Sequence, residues 1–296
     1  MNREQFRQWC QQSVMPNLES ISYLGKPLLM GVLNITPDSF SDGGHFTELG
    51  QAVLRAQELI AQGADIIDIG GESTKPGATV VSCAEELQRV IPVIEHIRDL
   101  SDICISIDTS KAEVMEAAVT AGASMINDVR ALRAPGAMEV AVRSNVPVVL
   151  MHMQGLPGSM QEAPHYTTDV IDEINSFFSQ RIAACLQAGL SREQLILDPG
   201  FGFGKLVSHN LSIVKNLSEF QRHQLPLLLG VSRKSTIGEV LQRAVSARLP
   251  GSIATTVFAA LQGASIIRTH DVDETNQALM IVDAIVKNKR LFEGKE

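Results

Sequence analysis

The stretch of sequence that decides the fold is Leu195-Ile196-Leu197-Asp198-Pro199-Gly200-Phe201-Gly202-Phe203-Gly204-Lys205, in which a short apolar run ends on a carboxylate and continues into a glycine-rich loop. Such a loop invites comparison with phosphate-binding motifs, because glycines let a backbone approach a ligand. Neither nucleotide motif is complete. A P-loop needs Ser or Thr after its lysine, where this chain has Leu206. The dinucleotide fingerprint needs a third glycine that this chain lacks. The more informative feature is the carboxylate that ends the strand, Asp198.

The same unit recurs along the chain: a short apolar strand, a polar residue at its end, a loop and an amphipathic helix. This alternation is typical of βα units and a parallel sheet. The predicted strands are Leu28–Asn34, Asp65–Ile69, Ile103–Asp108, Ser124–Asp128, Pro147–His152, Leu195–Asp198, Leu227–Val231 and Ser265–Thr269. Eight units predict an α/β fold of the TIM (β/α)8 barrel type at residues 28–296, after an N-terminal extension at residues 1–27. An open, doubly wound sheet is the structural alternative.

Local signals mark the ends of several elements. Gly63, Gly122 and Gly263 each stand just before a strand, where a glycine commonly ends the preceding helix. Ser82 and Ser110 are each followed three residues later by glutamate, the pattern of a helix-capping box. In the extension, Arg3–Gln12 is predicted as a short helix and Ser20–Tyr23 as a strand.

Composition limits the classes of partner. The chain has 296 residues, 45% of them hydrophobic, and a formal charge of −8, which argues against binding to nucleic acid or to an anionic membrane surface. It shows no signal-peptide pattern and no apolar run long enough to span a bilayer. Its four cysteines are far apart and have no metal-binding spacing, so we expect reduced thiols and a cytoplasmic protein. The expected ligand is a small molecule.

Polar residues end all eight strands, and in a parallel barrel they would share one rim, where barrel enzymes have their active sites. After the seventh and eighth strands the sequence places a cationic cluster, namely Arg233, Lys234, Arg268 and His270. Loops at these two positions often bind phosphate. Elsewhere on the rim, Asp108, Asn127 and Asp198 offer carboxylate and amide acceptors, which suit a planar ligand with several N–H donors.

Each assignment has a purely structural alternative. An Asp or Asn after a strand is often a helix cap, Arg268 could form a surface ion pair, and His152 could be a hydrogen-bonded core histidine. Met151 is expected to pack or to line a pocket. The loops at residues 34–44 and 70–77 are rich in turn-forming and hydroxyl residues and are predicted to be mobile lids over the rim.

The motifs in their order resemble dihydropteroate synthase, a pterin-binding family of folate biosynthesis, from about Leu28 to the C-terminus. The resemblance rests on 34–44 (NITPDSFSDGG), 68–74 (DIGGEST), 106–110 (SIDTS), 126–128 (IND), 197–205 (LDPGFGFGK), 232–234 (SRK) and 267–270 (IRTH). It implies a TIM-barrel transferase that joins p-aminobenzoate to 6-hydroxymethyl-7,8-dihydropterin diphosphate and releases pyrophosphate. It also implies a homodimer and inhibition by sulfonamides, which imitate p-aminobenzoate.

The resemblance also implies roles for the rim. The pterin would be bound by Asp108, Asn127, Met151, Asp198 and Lys234. The diphosphate would be bound by Asn34, Arg268 and His270, with Asn34 also contacting Mg²⁺, the expected cofactor. The p-aminobenzoate pocket would be formed by Phe40, Thr74, Lys75, Pro76 and Phe203. Lys75 departs from the family pattern, which has arginine there, and a lysine cannot form the same bidentate contact.

The mechanism expected from these residues is dissociative and needs no enzyme nucleophile. Arg268, His270 and Mg²⁺ would stabilise the departing diphosphate, and Asp108 would stabilise the pterin cation, with Lys234 as the fourth catalytic residue. Three alternatives remain open from the sequence: a pterin methyltransferase, which would not need the Arg268 and His270 cluster, a Schiff-base aldolase using Lys234, and a non-catalytic pterin-binding module.

Overall fold

The computed structural model describes residues 1–13, 25–35, 45–73, 80–155 and 164–287, with backbone only for residues 45–48. In these ranges all eight predicted strands are present, and their ends lie within one residue of the predicted ends. The strands are β1 (Leu28–Asn34), β2 (Ile66–Gly70), β3 (Cys104–Asp108), β4 (Met125–Asp128), β5 (Val148–Met151), β6 (Leu195–Asp198), β7 (Leu228–Gly230) and β8 (Ile266–Thr269).

Helices follow every strand and surround the sheet. The α-helices are α1 (Arg3–Gln12), α2 (His45–Ala61), α3 (Cys83–Leu100), α4 (Ala112–Ala121), α5 (Ala137–Ser144), α6 (Val170–Ala188), α7 (Val207–Lys215), α8 (Ser235–Leu241), α9 (Leu249–Leu261) and α10 (Val272–Lys287). Among the described residues, no helix combines the length and the apolar character needed to cross a membrane.

The sheet is parallel throughout and closes on itself. Its strand order is β6-β5-β4-β3-β2-β1-β8-β7. Between the two outer strands, Leu197 forms a parallel bridge with Leu227, and its amide donates to the carbonyl of Pro226 at 2.9 Å. An open sheet would leave β6 and β7 on opposite edges, so the barrel prediction is confirmed and the doubly wound alternative is wrong.

The lower half of the barrel is filled by apolar side chains from every strand, and helix α1 covers them. Phe6 and Cys10 of α1 are buried in this cluster. The inward residues are Leu28, Met30, Ile66, Cys104, Met125, Val149, Ile196, Leu228 and Ile266. The amide of Cys104 donates to the carbonyl of Met1 at 2.9 Å, which ties the chain start to β3. The predicted helix Arg3–Gln12 is therefore observed, whereas the predicted strand Ser20–Tyr23 lies outside the described residues.

The predicted helix boundaries were right in one case and wrong in another. Ser82 caps α3, since its side chain accepts a hydrogen bond from the amide of Glu85 at 3.2 Å. Ser110 does not cap α4, whose N-cap is Lys111. The Ser110 hydroxyl instead donates to the buried carboxylate of Asp128. A tertiary partner has thus replaced the local one that the sequence pattern predicted.

Candidate active site

The predicted rim forms because the strand ends are in register. Asn34 is paired with Gly70, Gly70 with Asp108, and Asp108 with Asn127 across β1 to β4. On the other side of the barrel, Met151 of β5 is paired with Asp198 of β6. Asp108 and Asp198 end their strands and Asn127 is the last residue but one of β4, yet all three are buried. Their side chains therefore face the barrel opening rather than bulk solvent.

A buried network of charges joins three sides of this opening through Asp68. Arg268 of β8 donates from Nε to Asp68 Oδ2 at 2.6 Å and from Nη2 to Asp108 Oδ2 at 2.8 Å. The Asn127 amide donates to Asp68 Oδ2 at 3.2 Å. Arg268 is therefore part of the site, and the interpretation of it as a surface ion pair is wrong.

Asp68 is the residue that sequence reasoning left without a role. Its side chain is fully buried, and Oδ1 has no hydrogen-bond partner among the described residues. The signal for it was present, because a carboxylate inside the otherwise apolar strand 66–70 (IIDIG) must be paired when it is buried. The motif was quoted for its resemblance, but no partner for Asp68 could be inferred without the barrel.

The electrostatics of the network make Asp108 easy to protonate. Burial, and then the charge of Asp68, raise the pKa of Asp108 to about 7, while Arg268 acts in the opposite direction. Burial alone would lower the pKa of Arg268, but Asp68 and Asp108 outweigh it and raise that pKa. The arginine therefore stays charged, and the carboxyl group of Asp108 changes its charge near neutral pH.

Asp198 and Lys234 form the second charged part of the site. Asp198 Oδ1 accepts a hydrogen bond from the amide of Gly200 at 2.7 Å, and burial raises the pKa of this carboxyl group. Burial also lowers the pKa of Lys234 to about 8, although the charge of Asp198 opposes that shift. Lys234 Nζ donates to the carbonyl of Phe201 at 2.5 Å and lies 4.6 Å from the ring centroid of Phe203.

The apolar wall of the opening lies between β4, β5 and the loop after β6. Met151, Met153 and Val129 form a small buried cluster, and Phe203 packs against it. Phe203 therefore contacts both the methionine wall and the ammonium of Lys234. A flat apolar surface beside paired polar groups can bind an aromatic ring system.

The loops after β7 and β8 hold only part of the predicted cationic cluster. His270 Nδ1 lies 3.1 Å from the hydroxyl of Ser232, which also accepts from the His270 amide at 3.2 Å. Arg233 pairs instead with the buried Asp271, its Nε lying 2.9 Å from Oδ2. Lys234, Arg268 and His270 therefore remain as candidate anion ligands, and Arg233 is assigned to holding the loop.

The remaining predicted site residues come from the two loops and from β1. The predicted lids, and with them Phe40, Thr74, Lys75 and Pro76, lie outside the described residues or extend into the undescribed ranges. Asn34 is half-buried at the end of β1, as predicted. Among the residues that the structure covers, no group of three or more His, Cys, Asp and Glu side chains could hold a metal ion.

The rim of this parallel barrel combines acceptors for a flat, N–H-rich ring with cations for an anion. This is the architecture of the pterin-binding enzymes. Residues 30–270 match the sequence model of that family, described as pterin binding enzyme, and the chain belongs to it. Within the family its relatives are dihydropteroate synthases. The enzyme of Escherichia coli strain K12 is 55% identical over 266 residues, which cover 90% of this chain and 94% of the relative.

Solved structures agree with this assignment. Dihydropteroate synthase of Yersinia pestis, solved with a sulfonamide drug, has a TM-score of 0.84 and 51% identity, covering 88% of this chain and 95% of that one. The Xanthomonas albilineans enzyme has been solved with 4-aminobenzoic acid, with a TM-score of 0.83, 48% identity and coverage of 88% and 93%. Its complex with 7,8-dihydropteroate has a TM-score of 0.80, 44% identity and coverage of 88% and 94%.

Proposed function

We propose that the protein condenses 6-hydroxymethyl-7,8-dihydropterin diphosphate with p-aminobenzoate to form 7,8-dihydropteroate and pyrophosphate. The observation that carries this proposal is the hydrogen bond between Arg268 and Asp108, which places a cation beside a carboxylate in the same opening. The carboxylate of Asp108 suits a pterin ring, and the guanidinium of Arg268 suits its diphosphate. The relatives are dihydropteroate synthases, so the methyltransferase, aldolase and non-catalytic alternatives are not retained.

Recognition of the pterin follows from the hydrogen bonds that the site already makes. The Gly200 amide engages Oδ1 of Asp198, which leaves Oδ2 to accept from a ring N–H or the 2-amino group. The Asn127 amide nitrogen donates to Asp68, and this fixes its oxygen as an acceptor for the ring. Lys234 provides an N–H donor for the ring carbonyl or N5, and Met151 provides an apolar face. Buried groups of this kind are selective because an unsuitable ligand leaves them unpaired.

The reaction that these groups support is a substitution at the exocyclic carbon of the pterin. The C–O bond to diphosphate breaks with its electron pair going to oxygen, and Arg268 and His270 stabilise the resulting charge. The dihydropterin ring delocalises the cation, and the carboxylate of Asp108 stabilises it. The neutral amine of p-aminobenzoate then forms the C–N bond and loses a proton. We propose that Phe203 forms part of the pocket for this second substrate, where sulfonamides would compete.

Magnesium is proposed as the cofactor, and the donor set at the rim fits it. Mg²⁺ usually keeps several waters and binds through one or two protein oxygens plus substrate phosphates. The side-chain oxygen of Asn34, half-buried at the end of β1, is a donor of this type. When bound, Mg²⁺ would neutralise diphosphate oxygens, and the protein's share of that task falls to Arg268 and His270.

The test is a pyrophosphate-release assay with purified protein, pterin diphosphate and Mg²⁺, with and without p-aminobenzoate. We expect one pyrophosphate per dihydropteroate and a strong dependence on the amine. An Arg268→Met variant should lose most of the activity, whereas Arg143→Met, which removes a surface cation paired with Glu116, should not. The proposal fails if the wild-type protein forms neither product from both substrates.

A homodimer is also proposed, through helices α8 to α10. These helices expose an unusual number of large apolar side chains, with Ile281 at 62% and Ile285 at 70% exposure. The others in this patch are Val240, Leu241, Phe258, Leu261, Met280 and Val286, together with Val245 in the turn between α8 and α9. Exposed apolar side chains that cluster on neighbouring helices often mark an interface, and a two-fold dimer is the commonest arrangement.

Sedimentation equilibrium can test the dimer. An Ile281→Asp substitution places a charge in the patch and should produce monomers. Leu54→Asp is a matched control, because Leu54 on α2 is 61% exposed but lies outside the patch. A wild-type monomer, or equal effects of the two substitutions, would contradict the proposed interface.

The compartment is proposed to be the cytoplasm. All four cysteines are unpaired, and burial raises the pKa of Cys10 to about 12 and raises that of Cys104 still further. Thiols in this state are unreactive and suit a reducing environment. Labelling of free thiols in protein isolated under alkylating conditions should recover four per chain.

A further inference from the structure

The lysine that ends the glycine-rich segment lies inside the protein and does not face the proposed diphosphate ligands. Lys205 is 3% exposed. Its Nζ lies 2.9 Å from the carbonyl oxygen of Gly200, 3.0 Å from that of Phe203 and 3.2 Å from that of His152. It is also 3.0 Å from His152 Nδ1. The ammonium is thus surrounded by four acceptors.

We propose that Lys205 is a positioning residue: it holds the loop at residues 199–204 against the loop after β5, and thereby fixes Phe203 as a wall of the p-aminobenzoate pocket. This inference rests on the proposed function for the identity of the substrate. The part that concerns the loop depends only on the contacts of Lys205.

The path of the loop explains why a cation is needed there. Gly200 has φ of +70°, and a Cβ on it would lie 1.9 Å from the carbonyl oxygen of His152. Gly204 has φ of +63°, and its Cβ would lie 2.3 Å from the carbonyl oxygen of Gln154. The two backbones therefore pack directly against each other. Carbonyl oxygens that converge in this way repel one another unless a donor or a cation lies between them.

The neighbouring histidine is matched to this role. Burial, together with the charges of Lys205 and Arg133, lowers the pKa of His152 to about 2, so the imidazole is neutral and its Nδ1 can accept from the ammonium. Burial lowers the pKa of Lys205 to about 7; the charge of Asp198 opposes this shift, and the charge of Lys234 adds to it. The four acceptors favour the protonated form, because a neutral amine has only two N–H donors.

The loop matters more for one substrate than for the other. Asp198 is held by the strand ladder as well, because its carbonyl accepts from the His152 amide at 2.9 Å. Phe203 follows β6 by five residues, and its backbone bonds are those to Gly200, at 3.1 Å, and to Lys205. Removal of the ammonium should therefore displace Phe203 and leave Asp198 nearly in place.

Steady-state kinetics and calorimetry can separate the two effects in a Lys205→Met variant, which keeps the aliphatic stem. We expect the KM for p-aminobenzoate to rise about tenfold, since a small misplacement of a substrate-positioning group can cost that much or more. The dissociation constant of the pterin should change by less than about threefold, because the Asp198 contacts remain. Lys215→Met is the control, since Lys215 is an exposed lysine on the neighbouring helix α7. An unchanged KM for p-aminobenzoate, or equal losses for both substrates, would overturn the proposal.

Hydrogen exchange in the substrate-free protein tests the loop without using activity. The amides of Gly202 and Phe203 are hydrogen-bonded, to Asn210 and Gly200 respectively. Their exchange should be faster in Lys205→Met, whereas strand β8 should keep its protection. Unchanged exchange in the loop would overturn the proposal. A wild-type protein without synthase activity would instead contradict the proposed function and leave this exchange result valid.

A second variant covers the case in which Lys205→Met does not fold. The Tyr166 hydroxyl donates to the carbonyl of Gly204 at 2.9 Å, which is a second and weaker tether of the same loop. Tyr166→Phe should shift the KM for p-aminobenzoate and the exchange of the loop in the same direction by smaller amounts. If neither quantity changes, the tethering of this loop does not set the pocket.

Discussion

Arg268 Nη2 lies 2.8 Å from Asp108 Oδ2, so the proposed ligand of the leaving group and the proposed stabiliser of the pterin cation are themselves an ion pair. A diphosphate that binds Arg268 would therefore lie close to this carboxylate. The arginine is held from its other side by Asp68, at 2.6 Å from Nε. The contact with Asp68 therefore holds the guanidinium independently of Asp108.

The first prediction concerns Asp68, which orients both Arg268 and Asn127. Asp68→Asn keeps the volume but removes the charge, and breaking a buried pair costs roughly 3 kcal/mol or more. We expect kcat/KM for the pterin diphosphate to fall by about a hundredfold, because Arg268 and Asn127 both lose the group that orients them. Steady-state kinetics of pyrophosphate release provide the measurement.

Glu116→Gln is the control for this prediction. Glu116 forms an ion pair with Arg143 at 3.0 Å, but both side chains are 59% exposed. Exposed pairs contribute little, so this variant should retain its activity and stability. Wild-type kinetics in Asp68→Asn would show that Arg268 and Asn127 do not need it.

A second prediction follows from the carboxylate that ends β6. Asp198→Asn presents an N–H₂ group to ring N–H donors and removes a charged acceptor, which contributes about 1.5–3 kcal/mol when buried. The affinity for the pterin should fall by roughly tenfold to a hundredfold by calorimetry. Asp65 lies at the opposite end of the barrel, where it accepts a hydrogen bond from the Leu29 amide. An Asp65→Asn variant should therefore leave the pterin affinity unchanged. Equal affinities in Asp198→Asn and wild type would remove Asp198 from the pterin site.

The third prediction is a bell-shaped pH dependence of kcat/KM for the pterin diphosphate. Burial and Asp68 raise the pKa of Asp108 to about 7, so the carboxylate is lost as the pH falls through that value. Burial lowers the pKa of Lys234 to about 8, so its positive charge is lost as the pH rises through that value. Activity should therefore be highest between these two pH values. The Asp108→Asn variant should have a lower maximum kcat/KM and no acidic limb that originates from the protein. If its acidic limb is unaltered, that limb belongs to the substrate or to another group.

Much of the fold and of the rim could be predicted because the signals were local. Short apolar runs between glycines gave the strands to within one residue, and parallel strands place their ends on one rim. Asp108, Asn127 and Asp198 were identified in this way. For His152 the structural alternative, a hydrogen-bonded core histidine, is confirmed by its burial and its contact with Lys205.

What sequence reasoning missed depends on partners that are distant in the chain. Asp68 is paired with Arg268, 200 residues further on, and no local pattern connects them. Ser110 had the local pattern of a cap but bonds to Asp128 instead. Lys205 followed a glycine-rich loop and suggested an anion ligand, whereas its acceptors are carbonyl oxygens brought together by the fold.

A partly buried lysine, Lys111, forms a second ion-pair cluster outside the proposed substrate contacts. Lys111 Nζ lies 2.6 Å from a carboxylate oxygen of Glu72 and 2.5 Å from one of Glu86. Glu86 is fully buried, and its Oε1 has no partner among the described residues. Glu72 also accepts from the Val81 amide at 3.0 Å, so the triad links both ends of the loop at residues 73–80 to helix α3.

The last prediction is that Lys111→Met destabilises the protein by roughly 3 kcal/mol, because it leaves the buried Glu86 carboxylate unpaired. Adding Glu86→Gln to that variant should recover part of the loss, since the unpaired charge is then absent. The free energy of unfolding from urea titrations of the single and double variants measures both effects. Lys287→Met is the control, because Lys287 pairs with Asp283 at an exposed site on α10. If the double variant is no more stable than Lys111→Met, the buried charge of Glu86 is not the cause of the loss.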